Sequence, residues 1–191
     1  SNLTPRAPSW PRWQGRWRST VSESPISFQQ AIARSAEWIR LWDVEELSDD
    51  VLADSVGALV RERDGARGFF VTSLTSDSPL MDRLPDSLVV QLRLAGREVV
   101  DLTVRNLAMS SAMAVQHRLN QDQALLDGSL RVQRRCKELL RQLDPYLVKE
   151  RLEKMITSLQ SGGDDQSFFE RWGYGPEQRD EIERELLSVA N

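Results

Sequence analysis

With 191 residues, of which 40% are hydrophobic and 28% charged, the chain is long enough for one true core and too apolar to be disordered. Its net charge of −4 disfavours non-specific nucleic-acid binding by the molecule as a whole. A single cysteine, Cys136, excludes an internal disulfide and fits a reducing compartment.

Residues 1–24 are rich in Pro, Ser, Arg and Trp and read as an arm rather than a core element. Within residues 1–20, Arg6, Arg12, Arg16 and Arg18 stand without an acid, so the remaining 171 residues sit at −8. Trp10, Trp13 and Trp17 follow at 3-and-4 spacing, which sets three rings on one helical face. Trp and Arg dominate binding hot spots, so Trp10, Trp13, Arg16 and Trp17 are candidate partner-binding residues. Folding of the arm back over its own domain is the plainer alternative, and contact with single-stranded nucleic acid is a third.

Residues 25–160 read as an all-helical core domain. Ser27 is placed to cap a helix running to about Val44, with Phe28, Ile32, Ile39 and Trp42 near helical spacing. Ser48 caps a second helix with the stripe Leu52, Val56, Leu59 and Val60, and Asp64-Gly65 looks like its stop. A short helix is expected from Ala66 to Leu74, because Phe69-Phe70-Val71 has no second strand to pair with. No phosphate-binding signature appears, and Gly57 and Gly65-Ala66-Arg67-Gly68 are too sparse to cradle a phosphate; anion binding by Arg63 and Arg67 beside that helix start is the minor reading. After a loop with two prolines, Asp86 is expected to cap a helix to about Leu94, and Gly96 either interrupts it or weakens it. A long helix follows to about Asn120.

Asp127 or Ser129 then opens a helix whose apolar stripe is Val132, Cys136, Leu139 and Leu143. Asp144 and Pro145 supply the cap and first position of another, ending by Gln160. Residues 161–191 are a Gly-linked tail. Its linker is Ser161-Gly162-Gly163-Asp164-Asp165, followed by the aromatics Phe168, Phe169 and Trp172 and a helix from Pro176 to about Val189. The tail's seam of Ile182, Leu186 and Val189 is narrow, so it must dock on a larger apolar surface of its own chain or of a second copy.

The fold class expected is therefore all-α: an orthogonal or bundle-like helical domain of seven to eight helices around a buried central helix. The central helix is identified by Asn106–Gln116, NLAMSSAMAVQ, which carries no charge. A helix apolar on every side is expected to be buried, and this run is too short for a bilayer span of about 20 residues. Ala108, Ser111, Ala112 and Val115 are small or compact residues at i, i+3, i+4 and i+7, which allow close helix approach. Asn106, Met109, Ser110, Met113 and His117 form a candidate ligand pocket, with methionines adapting to an irregular apolar ligand.

The chemistry of other site classes is poorly supplied. One histidine and one cysteine are too few for a protein zinc site or a di-iron carboxylate pair, so no metal or cofactor is expected. Cys136 has Arg134, Arg135 and Lys137 as sequence neighbours, but helical geometry sets these beside or behind the sulfur. No catalytic residues are assigned, and the enzyme question stays open, leaning towards no.

The run Arg105-Asn106-Leu107-Ala108-Met109-Ser110-Ser111-Ala112-Met113-Ala114 resembles a conserved family of uncharacterised cyanobacterial and other bacterial proteins, over about residues 55–145. The resemblance implies a cytoplasmic bacterial protein and brings no activity, cofactor or site residue with it. The chain begins at Ser1-Asn2 rather than Met, which leaves room for a removed leader. The leading expectation is a non-enzymatic helical interaction protein, a regulatory, adaptor or assembly factor. It is expected to form a homodimer, with the arm tryptophans or Phe168, Phe169 and Trp172 at the contact. The alternative is a helical small-molecule-binding protein or enzyme with an apolar pocket beside the central helix, and nucleic-acid contact through the arm comes third.

Overall fold

The computed structural model describes residues 24–190, so the arm residues Trp10, Trp13, Arg16 and Trp17 lie outside the described residues. Among the described residues the chain is all-helical, with nine α-helices, one 3-10 turn and no strand. The helices are α1 (Phe28–Asp43), α2 (Asp49–Leu59), α3 (Arg63–Thr75), α4 (Asp86–Leu94), α5 (Arg97–Leu119), α6 (Gln123–Gln142), α7 (Pro145–Ser161), α8 (Gln166–Trp172) and α9 (Pro176–Ala190), with the 3-10 turn at Pro79–Met81. The count exceeds seven to eight because α8, only seven residues long, is too short to declare a helical period.

Local chemistry explains most boundaries. Ser27 and Gln30 form a reciprocal capping box, Ser27 Oγ accepting from the Gln30 amide and Gln30 Oε1 from the Ser27 amide. Asp144 accepts from the amides of Tyr146 and Leu147 while Pro145 occupies the first turn of α7. Gly96 interrupts rather than weakens the helical run: it adopts φ 67°, a conformation that favours glycine, between α4 and α5.

Three expected boundaries shift. The second helix ends at Leu59, and Asp64-Gly65 lies in the first turn of α3. Glycine is needed there because a Cβ at residue 65 would run into the Leu59 carbonyl oxygen. Asp86 is the first residue of α4 rather than its cap. Asp122, not Asp127 or Ser129, caps α6, its carboxylate accepting from the Leu125 amide.

Helix α5 packs against α6, α9, α7 and α3, while α1 lies on α3 and α2 on α4. One apolar cluster runs through all of them, including Leu52, Phe69, Leu107, Leu139, Phe169 and Ile182. Within the uncharged run, Leu107, Ala108, Ser110, Ser111, Ala112 and Ala114 are buried. The run is not buried on every side, however: Met113 and Gln116 are exposed, and Asn106, Met109 and Val115 are half-buried. Its polar groups are satisfied locally. Ser110 and Ser111 both donate to the Leu107 carbonyl, and Gln133 of α6 donates to Ser111 Oγ at 3.1 Å.

The tail docks on its own chain. Ile182 and Leu186 are fully buried in the common core, and Gln178 donates to the Ala112 carbonyl of α5. A half-buried Lys137–Glu185 ion pair of 2.7 Å joins α6 to α9. Arg135, 2% exposed, collects the loop after α3: it donates to the carbonyls of Ser73, Leu74, Ser76 and Ser78 and to both oxygens of Asp82. Among the described residues no helix is long and apolar enough to cross a membrane.

Candidate arginine-lined cleft

A cavity of about 730 Å³ lies between α1, α3, α5 and α8. Each wall is one face of a helix, as the 3.6-residue period requires. Helix α5 supplies Arg97, Asp101, Arg105 and Met109 at successive turns, with Glu98, Leu102 and Asn106 beside them. Helix α3 supplies Arg63, Arg67, Phe70 and Val71; α8 supplies Phe168, Arg171 and Trp172; and Phe28 comes from the start of α1. Five arginines therefore face one cavity with two acids, Glu98 and Asp101.

Three of these arginines lie over aromatic rings. The Arg67 guanidinium is 4.8 Å from the centre of Phe28, Arg105 is 5.1 Å from Phe168, and Arg171 is 5.8 Å from Trp172. A guanidinium stacked on a ring keeps its in-plane N–H donors available to a third group. The competing ion pairs are weak ones. Arg67–Asp64 at 2.9 Å and Arg97–Glu150 at 3.1 Å are exposed to water, and Arg105 reaches Asp101 only at 3.9 Å. Arg63 and Arg171 have no acidic partner within ion-pair distance among the described residues.

The position of α8 is set by Arg151 of α7. Its guanidinium grips the buried Asp165 carboxylate through two bonds of 2.7 and 2.6 Å and donates to Asp101 of α5 at 2.8 Å. The Asp165 amide in turn donates to Ser158 Oγ. Gly162 and Gly163 both have positive φ, so the chain turns sharply between α7 and this anchor. A smaller cavity of about 300 Å³ opens behind it and shares Asp101, Arg105 and Phe168 with the main cleft.

Of the pocket residues expected from sequence, Asn106 and Met109 line the cleft. Asn106 donates from its side-chain amide to the Leu102 carbonyl, so its partner lies one turn back on its own helix. Ser110 points into the core and donates to Leu107 rather than Asn106; Met113 is exposed and His117 half-buried farther along α5, and neither lines the cleft. Of the expected partner-binding aromatics, Phe169 is fully buried and Phe168 is 7% exposed, both within the chain's own core, while Trp172 is half-exposed at the cleft. Arg63 and Arg67 join it as well. What sequence reasoning missed is the α5 series Arg97, Asp101 and Arg105, and Arg171 of α8. Their i, i+4, i+8 spacing was visible, but it reads equally as a solvated helix face.

Cys136 lies on the buried stripe of α6, where burial pushes its thiol far above the ordinary range, so the neighbouring cations do not activate it. Among the described residues, no group of three His, Cys, Asp or Glu side chains is placed to hold a metal ion.

Comparison with known proteins places the chain in sequence space. The model of the family described as "Uncharacterised conserved protein UCP020893" matches residues 27–189. That span runs from the cap of α1 into α9 and is wider than residues 55–145, over which the sequence resembles such a family. No curated protein and no solved structure matches the chain.

Proposed function

The chain belongs to that uncharacterised conserved family, and from this premise we propose that it is a helical interaction protein that works by binding a small multivalent anion in the cleft. The observation that carries this reading is the convergence of five arginines from three helices on one cavity with only two acids. Like charges gathered this way repel one another until a counter-charge arrives, so a multivalent anion gains from every one of them. The volume of about 730 Å³ suits a compact molecule, since small-ligand sites span roughly 300–1,000 Å³.

Binding is favoured over turnover by the chemistry of the lining. Arginine neither releases nor accepts a proton near neutral pH, so five arginines supply recognition and no acid–base pair. Asp101 is engaged by Arg151. In this reading the half-buried face of α5 at Asn106 and Met109 is the floor of an anion site rather than of a purely apolar pocket.

The test is thermal melting of the full chain in chloride, phosphate, citrate and tripolyphosphate at matched ionic strength. The multivalent anions should raise Tm over chloride, and Arg67→Gln with Arg105→Gln should abolish the difference. Equal melting in all four salts would overturn the reading.

A further inference from the structure

The cleft is more than a basic patch, because its charge is spread out and interleaved with flat surfaces. Arg97 and Arg105 are eight residues apart on α5, so their backbones stand about 12 Å apart along the helix axis. A single inorganic phosphate is too small to meet both. The ligand that uses the whole series has several anionic groups in a row.

The remaining lining is not that of a site for a simple chain of charges. Phe28, Phe168 and Trp172 each carry a guanidinium over the ring, which gives the cleft flat, layered walls on α1, α3, α5 and α8. Trp172 is 50% exposed at this site, so its ring is accessible to a ligand in the cleft. Flat walls of this kind accept a flat ring by stacking on guanidinium or indole alike. Asn106 lies in the same lining with an amide carbonyl oxygen to offer to ring N–H groups, and Met109 beside it is an adaptable apolar contact.

We propose that the ligand is an aromatic ring joined to a polyphosphate, the chemistry of a nucleoside triphosphate, with its phosphates along Arg97, Arg105, Arg67 and Arg63 and its ring against Trp172. This rests on the anion-binding reading above and adds the ring to it. The two parts make separate demands: the arginines answer to charge, and Trp172 with its stacked Arg171 answers to the ring.

Calorimetric titration of the full chain in magnesium-free buffer separates them, with ATP, inorganic tripolyphosphate and adenosine as probes. ATP should bind about tenfold more tightly than tripolyphosphate, because stacking adds to the phosphate contacts. Adenosine alone should bind far more weakly than either. Trp172→Ala, a change at a half-exposed site, should reduce ATP binding to the level of tripolyphosphate and leave tripolyphosphate binding unchanged. Equal affinity for ATP and tripolyphosphate in the unmodified chain would overturn the ring and leave the anion site standing. An ATP advantage that survives Trp172→Ala would overturn the placement of the ring. Binding of neither phosphate compound would overturn both this proposal and the reading beneath it.

Discussion

Arg151 and Asp165 face each other as a two-bonded fork, 2.7 and 2.6 Å long, and this contact holds α8 against α5. Their side chains are only 13% and 8% exposed. Because the same guanidinium also binds Asp101, one residue of α7 fixes two walls of the cleft. Losing Asp165 leaves that guanidinium, poorly solvated, with the more exposed Asp101 as its one remaining carboxylate. Asp165→Ala should therefore destabilise the chain by about 3–5 kcal/mol in urea unfolding, well beyond the effect of an exposed pair. A loss as small as that of Glu153→Ala, whose partner Lys149 is exposed, would mean that α8 is held by its aromatics alone.

A second buried arginine makes the fold acid-sensitive. The Arg135 guanidinium, hydrogen-bonded to both oxygens of Asp82, holds that carboxyl below the ordinary aspartate range. A lowered folded pKa contributes stability that is present above the unfolded value of about 3.9 and is lost as pH falls through the folded value. Asp82→Asn should thus melt below the unmodified chain at neutral pH, and the gap should close at acid pH beneath that value. A gap that is constant with pH would assign the loss to packing instead of charge.

Two glycines should respond in opposite directions to alanine. Gly68 of α3 touches α1 so closely that an added Cβ would collide with the Cβ of Ala31. Gly68→Ala should destabilise the chain by roughly 1–3 kcal/mol through overpacking. Gly128, inside α6, has nothing within 4 Å of an added Cβ. Gly128→Ala should stabilise it by about 0.5–1 kcal/mol, the cost that glycine imposes on a helix interior. Equal effects in thermal unfolding would contradict the close approach of α1 and α3.

Cys136 should be inert in the native chain. It is fully buried, and its thiol is held protonated by that burial. Its labelling by a thiol reagent at neutral pH should keep pace with global unfolding. Rapid labelling under native conditions would place the sulfur at a reactive surface.

The parts of the fold that depend on neighbours in sequence were readable from it. Ser27, Ser48 and Asp144 cap their helices as their residue types suggest, and Cys136, Leu139 and Leu143 lie on one buried stripe. Helix α8 was not readable, because seven residues after a Gly-Gly turn show neither a period nor a side-chain cap. The cleft was readable only in fragments. Asn106, Met109, Arg63, Arg67 and Trp172 each carry a separate local signal. That they share one cavity follows from how α1, α3, α5 and α8 pack, which local spacing does not encode. Arg97 and Arg105 escaped because a charged i, i+8 series on a long helix is the ordinary look of a wet surface.

The central claim is that the cleft arginines, and not basic charge in general, bind a multivalent anion. Calorimetric titration of tripolyphosphate into the unmodified chain, Arg105→Gln and Arg93→Gln tests it directly. Arg93 is exposed on α4 and does not line the cleft. Both substitutions remove one positive charge, so long-range effects are matched and salt screens them equally. Arg105→Gln should weaken binding by about tenfold, the loss of one charge-assisted contact, while Arg93→Gln leaves it unchanged. Equal weakening by the two substitutions, or none by Arg105→Gln, would contradict the assignment of the cleft as the anion site.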